Sequence, residues 1–174
     1  MSTATTTSQL DKLSKPARDF IERAPHGLLI GNQWVQAEGG TFETRDPATG
    51  DVICEVAGAS AADIDRAVKA ARTAFDDGPW RRMSGAQRAG HMFKLADLIE
   101  ENAQELAELE SIDNGKPVKI AGIVDVPGAV RHLRYFAGWA TKLEGKTIPV
   151  TAPNMFVYTL REPVGVCGQI IPWN

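Results

Sequence analysis

The segment Val164-Gly165-Val166-Cys167-Gly168-Gln169-Ile170-Ile171 is apolar or small at nearly every position. That pattern predicts a parallel β-strand buried on both faces, because such a strand has no polar side to show to water. A strand of this kind cannot stand alone. Its N–H and C=O groups need neighbours on the edges, and both faces need helices, so an α/β architecture is expected. No sequence for further strands follows before Asn174, and the expectation is therefore an incomplete sheet.

Upstream, the period alternates between strand and helix. The first dozen residues are rich in Ser and Thr and offer little apolar surface to offset ordering, so a frayed arm is expected there. Leu28-Leu29-Ile30 and Gln33-Trp34-Val35 flank Gly31-Asn32, which supplies the positive φ of a tight hairpin turn. A second hairpin joins Thr41-Phe42-Glu43-Thr44 to Val52-Ile53-Cys54-Glu55-Val56 through Asp46-Pro47-Ala48-Thr49-Gly50, with Val52, Cys54 and Val56 expected to face inward. Ser60 with Asp63, and Ser84 with Gln87, have the spacing of capping boxes and open two helices. The first carries Ile64, Ala67, Val68, Ala71, Ala74 and Phe75 on one face and stops at Gly78-Pro79. The second carries Met92, Leu95, Ala96, Ile99, Ala103 and Leu106, breaks near Asn102 and ends by Gly115. A third helix is expected from Pro117 to about Leu143, bent at Pro127-Gly128, with Leu133, Phe136, Ala137 and Ala140 as its core stripe. Beyond Gly145 the period returns to strand, and Pro153-Asn154 predicts a long hairpin.

Charge and composition exclude several function classes. The net charge of −3, with both signs interspersed, provides no basic stripe for nucleic acid or an anionic membrane, so neither partner is expected. The opening residues lack the basic and apolar regions of a signal peptide, and no apolar run reaches about 18 residues, so no membrane segment is expected. Cys54 and Cys167 are far apart and form no Cys-x-x-Cys; neither zinc nor a disulfide framework is suggested, and a reducing cytoplasmic location is expected. His26, His91 and His132 lack metal-ligand spacing and read as surface or satisfied core residues. Cys167, among apolar neighbours with no basic group nearby, reads as a small hydrophobe rather than a nucleophile. The run Glu100-Glu101 with Glu105, Glu108 and Glu110 reads as a solvated helix face.

The stretch Arg161-Glu162-Pro163-Val164-Gly165-Val166-Cys167-Gly168-Gln169-Ile170-Ile171-Pro172-Trp173-Asn174 resembles the strand and turn that aldehyde dehydrogenases place under their cofactor. Other stretches resemble that family in the same order: Asp46-Pro47-Ala48-Thr49-Gly50, Pro79-Trp80-Arg81, Asp113-Asn114-Gly115-Lys116-Pro117 and Phe136-Ala137-Gly138-Trp139-Ala140. The resemblance runs from about residue 26 to the last. It implies the amino-terminal part of a Rossmann-like cofactor-binding domain with a projecting β-hairpin. The implied organisation is a polar arm over 1–25, the first part of the cofactor-binding domain over 26–144, an oligomerisation hairpin over 145–163, and the start of the cofactor-binding strand and active-site turn over 164–174.

The same resemblance implies site residues. Asn174 matches the family's oxyanion-hole asparagine, a role suited to a neutral amide that donates without titrating. Ile170, Ile171, Pro172 and Trp173 match positions lining the pocket for NAD or NADP. Thr44 and Arg45 through their main chain, and Asp113 through its carboxylate, match a monovalent-cation site of some members. The family oxidises an aldehyde to a carboxylic acid through a cysteine thiohemiacetal; the matching cysteine, the glutamate base and the ribose contacts lie beyond Asn174. The expectation is a fragment, inactive alone, of a homo-oligomeric aldehyde-oxidising enzyme. The alternative is a noncatalytic truncated module that associates with full-length subunits.

Overall fold

The computed structural model describes residues 9–171. Its first regular elements lie within the expected polar arm: a short 3-10 turn at Gln9–Lys12 and helix α1 at Lys15–Glu22. Pro16 supports the helix start, where its missing N–H costs nothing. Ala17 and Ile21, one turn apart, are buried, and α1 is tied to a later helix by the Ser14 N–H donating to Glu108 Oε2 at 2.7 Å. The arm expected over 1–25 is thus helical at its carboxyl end, because two apolar side chains suffice to dock a short polar helix.

Strands β1 (Leu28–Ile30) and β2 (Gln33–Val35) pair antiparallel. Gly31 and Asn32 sit at φ of 58° and 63°, the turn geometry whose twist matches a hairpin. Strands β3 (Thr41–Arg45) and β4 (Val52–Ala57) form the second hairpin. Asp46, buried in its turn, accepts from the Ala48 N–H at 2.8 Å and from Thr49 Oγ1 at 3.3 Å, an Asx turn. The ladder slips between Thr44 and Arg45, which face Cys54 and Val52 and leave Ile53 as the extra residue. This bulge shifts the alternation, so Val52 is exposed while Ile53, Cys54 and Val56 face the helices.

Helix α2 (Ala61–Asp76) begins with the capping box of Ser60 and Asp63. Asp63 is completely buried, accepting from the Ser60 N–H at 2.8 Å and the Glu38 N–H at 2.9 Å and pairing with Arg66. A 3-10 turn at Pro79–Arg82 follows. Helix α3 (Gly85–Glu101) starts with the reciprocal cap of Ser84 and Gln87. Helix α4 (Ala103–Asn114) follows the break at Asn102 and ends on Gly115 at φ 78°, the left-handed cap that glycine tolerates best. The expected third helix is a short α5 (Val118–Ile120), a π turn (Ala121–Asp125) and α6 (Val126–Trp139). Pro127-Gly128, where a bend was expected, lies in the first turn of α6, and the irregularity is the π turn at Ala121–Asp125 just before the proline, which removes a donor from the regular ladder.

Helix α3 packs along α6, and α4 packs on the π turn and on α1. Small residues, Ala96, Ala107, Ala121 and Ala137, fill these contacts with Val126 and Val130. Phe136, expected in the α6 stripe, is exposed, while Ala137 of that stripe is buried together with Val126 and Val130 one and two turns earlier on the same face. The hairpin beyond residue 145 pairs only Thr147 with Tyr158 and Ile148 with Val157, as β5 (Thr147–Ile148) and β6 (Val157–Tyr158). Asn154 turns the chain at φ 62°.

Residues 164–171 form no strand. Val164 and Ile170 are 95% and 100% exposed, because a parallel strand exists only through the hydrogen bonds of its neighbours. The apolar face expected on α2 is formed but uncovered, with Ile64 and Val68 exposed. The chain's accessible surface is 13221 Å², against roughly 8,300 Å² for a compact monomer of its mass. Several apolar faces therefore lack the layer that would bury them. Among the described residues, no helix is long and apolar enough to cross a membrane.

Candidate functional site

Thr44 and Asp113, 69 residues apart in sequence, meet where β3 passes the end of α4. The Thr44 hydroxyl donates to Asp113 Oδ1 at 2.9 Å. Two local features place them there. The β3–β4 bulge falls at the Thr44–Arg45 peptide, where main-chain groups leave the regular ladder. On the other side, Gly115 brings the end of α4 against Pro47 in the β3–β4 turn. Arg45 directs its guanidinium away from Asp113, to the Gly50 carbonyl at 2.9 Å and to Glu43.

Thr44 and Asp113 lie on the wall of an open groove of about 620 Å³, otherwise lined by apolar side chains such as Ile53, Val56, Ile99 and Leu106. Glu110 and Asp125 line it as well. Lys116 bridges these two carboxylates, with Nζ at 3.2 Å from Glu110 Oε1 and 2.7 Å from Asp125 Oδ2. Its pKa is raised, chiefly by the hydrogen bond to Asp125 and further by Glu110, so it remains an ammonium. Cys54, opposite Thr44 in the ladder, has its thiol pKa pushed up by burial and then by the Asp113 charge. It is held protonated and is a poor nucleophile. His26 stacks on Phe20 at 4.2 Å, and its Nε2 is buried without a hydrogen-bond partner among the described residues. It is therefore neither a surface histidine nor a fully satisfied one.

The groups brought together here are the Asp113 carboxylate and the Thr44 hydroxyl, with the Cys54 thiol beside them. Oxygen donors of this kind suit a hard cation. Among the described residues, no group of three or more His, Cys, Asp and Glu side chains could hold a metal ion.

Of the positions expected to line a dinucleotide pocket, Ile170 and Ile171 are exposed. Pro172, Trp173 and Asn174 lie outside the described residues. The structure thus brings together Thr44 and Asp113, does not place Ile170 or Ile171 among the residues lining their groove, and adds Lys116 and Asp125, which the sequence reading did not single out, and Glu110, which was expected on a solvated helix face but pairs with Lys116. Lys116 stood inside the quoted Asp113-Asn114-Gly115-Lys116-Pro117 stretch, but nothing in its spacing announced the partner Asp125.

Compared with known proteins, residues 34–174 match the aldehyde dehydrogenase family. The chain is 54% identical over 149 residues to the mitochondrial aldehyde dehydrogenase of Equus caballus, covering 84% of this chain and 30% of that protein. It is 51% identical over 164 residues to an aldehyde dehydrogenase of Alternaria alternata, covering 94% and 32%. Among solved structures, it is similar to the NAD+ complex of an aldehyde dehydrogenase from Bacillus cereus, with a TM-score of 0.83 and 47% identity over 87% of this chain and 31% of that one. The chain spans about a third of the length of the curated relatives it matches.

Proposed function

Since the chain belongs to the aldehyde dehydrogenase family, we propose that it supplies the amino-terminal third of an enzyme that oxidises an aldehyde to a carboxylic acid with NAD or NADP. The observation that carries this reading is the match over residues 34–174, together with the 47% identity to a relative whose structure holds NAD+. The uncovered apolar faces of α2, the groove and residues 164–171 agree with a first layer that the rest of such a fold would bury.

In this reading Asn174 donates its side-chain amide to the oxygen that becomes an alkoxide when a cysteine outside this chain attacks the aldehyde. A preorganised donor of this sort typically supplies about 3–4 kcal/mol at the transition state. Ile170, Ile171, Pro172 and Trp173 form an apolar wall that excludes water beside the reacting carbon. The bound nicotinamide supplies the hydride acceptor. Thr44, Arg45 and Asp113 hold a monovalent cation that ties the β3–β4 hairpin to the end of α4. The hairpin over 145–163 associates with a neighbouring subunit: its ladder has only two residue pairs, and Ile148, Met155, Phe156, Tyr158 and Leu160 are exposed along it. Open strand edges and uncovered apolar side chains favour such pairing.

The chain alone carries the oxyanion donor without the nucleophile, and is inactive in this reading. The test is an absorbance assay for reduced cofactor with NAD and with NADP, run on the complete product of the coding sequence over several aldehydes. Cofactor reduction coupled to acid formation supports the proposal. Absence of turnover with every aldehyde and both cofactors refutes it.

A further inference from the structure

We infer that segment 9–22 is a strap that lifts from and closes onto the body of the chain, with the hydrogen bond between Ser14 and Glu108 as its latch. The segment borders two hollows. Gln9, Lys12 and Leu13 line a cavity of about 270 Å³ whose other walls include Asp46, Glu108 and Ile112. Phe20 and Ile21 form part of the wall of the groove of about 620 Å³. Voids of this kind leave the segment with few atoms to pack against, and its buried residues are Ala17 and Ile21. A segment with so little buried apolar surface opens at low free-energy cost.

The polar contacts point the same way. Lys12 bonds Gln9, Lys15 bonds Asp19 and Arg18 bonds the Leu13 carbonyl, so these bonds travel with the segment when it lifts. The Ser14 N–H instead reaches across to Glu108 Oε2 on α4 at 2.7 Å, and Gln104 Nε2 donates to Glu108 Oε1 at 3.0 Å. Burial would raise the Glu108 pKa, but the bonds from Ser14 and Gln104 and the charge of Arg18 outweigh it and lower the pKa, so the latch is charge-assisted. Beyond α1, His26 is held to β4: its N–H donates to the Glu55 carbonyl at 3.2 Å, and its own carbonyl accepts from the Ala57 N–H at 2.9 Å. The pivot therefore lies between Glu22 and His26. The closed form carries a cost at that end, because His26, stacked on Phe20, buries an Nε2 that has no partner among the described residues. Lifting Phe20 off the ring lets water reach this nitrogen and offsets part of the lost packing.

The experiment uses the 174-residue chain with Cys167→Ser, which leaves Cys54 as its one thiol. Cys54 reads the opening because it lies half-buried in the groove. Its rate of labelling by an aromatic disulfide reagent is followed at one fixed pH, at urea concentrations too low to unfold the chain. Glu108→Ala should speed labelling about 10- to 100-fold, the range expected for loss of a hydrogen bond to a charged group. Ser14→Pro should do the same, since it removes the donor at a φ of −61° that proline adopts. The two together should exceed neither alone, because they break one bond. Lys15→Ala, on the exposed side of the strap, should leave the rate unchanged. Helix circular dichroism should persist in each variant, and the labelling rate should depend on urea less steeply than global unfolding does. Labelling of either Glu108→Ala or Ser14→Pro at the unaltered rate overturns the inference. A rate that tracks global unfolding in every variant overturns it as well, since Cys54 would then be reached only when the whole chain opens.

Discussion

Replacing Gly115 by alanine should cost this chain both backbone strain and a clash. The position lies at φ 78°, and a Cβ there would meet Pro47 Cγ at 2.9 Å. The left-handed conformation alone costs an L-residue about 1–2 kcal/mol. Forcing a methyl group into an occupied contact adds about 1–3 kcal/mol. A combined loss of about 3 kcal/mol corresponds to a fall in midpoint of roughly 6–12 °C for a chain of this size. Gly50 provides the control, because it has φ 80° with nothing within 4 Å of its would-be Cβ. Gly50→Ala should therefore show the conformational cost without the clash. Urea unfolding followed by circular dichroism at helix wavelengths, on both single variants and on Gly115→Ala combined with Pro47→Ala, separates the two parts. The double variant should recover stability relative to the sum of its singles, a coupling that arises only when the two positions touch. Equal losses for Gly115→Ala and Gly50→Ala, with no coupling to Pro47, would refute the packing argument.

In the complete enzyme, Asn174→Ala should lower kcat by about 10²- to 10³-fold, since the lost donor acts on the transition-state oxyanion; undiminished turnover would remove Asn174 from the mechanism. The 174-residue chain alone should show no aldehyde oxidation and no micromolar binding of NAD or NADP by calorimetric titration, because neither a helix amino terminus for the pyrophosphate nor a ribose contact is proposed within it. Acid should loosen the start of α2. The Asp63 carboxyl is held far below the usual carboxylate range, first by the Ser60 N–H and then by Arg66 and the Glu38 N–H. A depressed folded-state value contributes stability that is complete above the unfolded-state value and is lost as pH falls below it. The midpoint of the unaltered chain should therefore fall more steeply between about pH 5 and pH 2 than that of Asp63→Asn, and parallel profiles would contradict this.

The parts of the fold legible in the sequence are those decided within a few residues. Ser60 with Asp63, Ser84 with Gln87, and Gly31-Asn32 each carry their hydrogen bonds or dihedral requirements locally, and all three appear where expected. The segment Lys15–Glu22 was hidden because its apolar content is only Ala17, Phe20 and Ile21 among charged residues, too sparse to display a period. Residues 164–171 read as a strand from composition but form none, since strand pairing depends on partners that composition does not supply. The inward face of α6 was legible through Leu133, Ala137 and Ala140, while Phe136, at the edge of that stripe, is exposed. The contact of Thr44 with Asp113 came from family resemblance, not from spacing. Lys116 was passed over because its partner Asp125 is delivered by the π turn.

The π turn also makes chain length, more than side-chain identity, the quantity this region must keep. Each residue advances an α-helix by about 100°, so the Ala121–Asp125 segment acts as a gear tooth that fixes the phase between α5 and α6. Ile123 and Val124 point to solvent on its outer side and should accept substitution freely. Deleting either one would turn α6 by about a quarter revolution, carrying Val130 and Ala137 off α3 and presenting Arg131 and Arg134 to a contact built for alanines. A family of sequences sharing this corner should therefore vary in composition there while sparing its residue count.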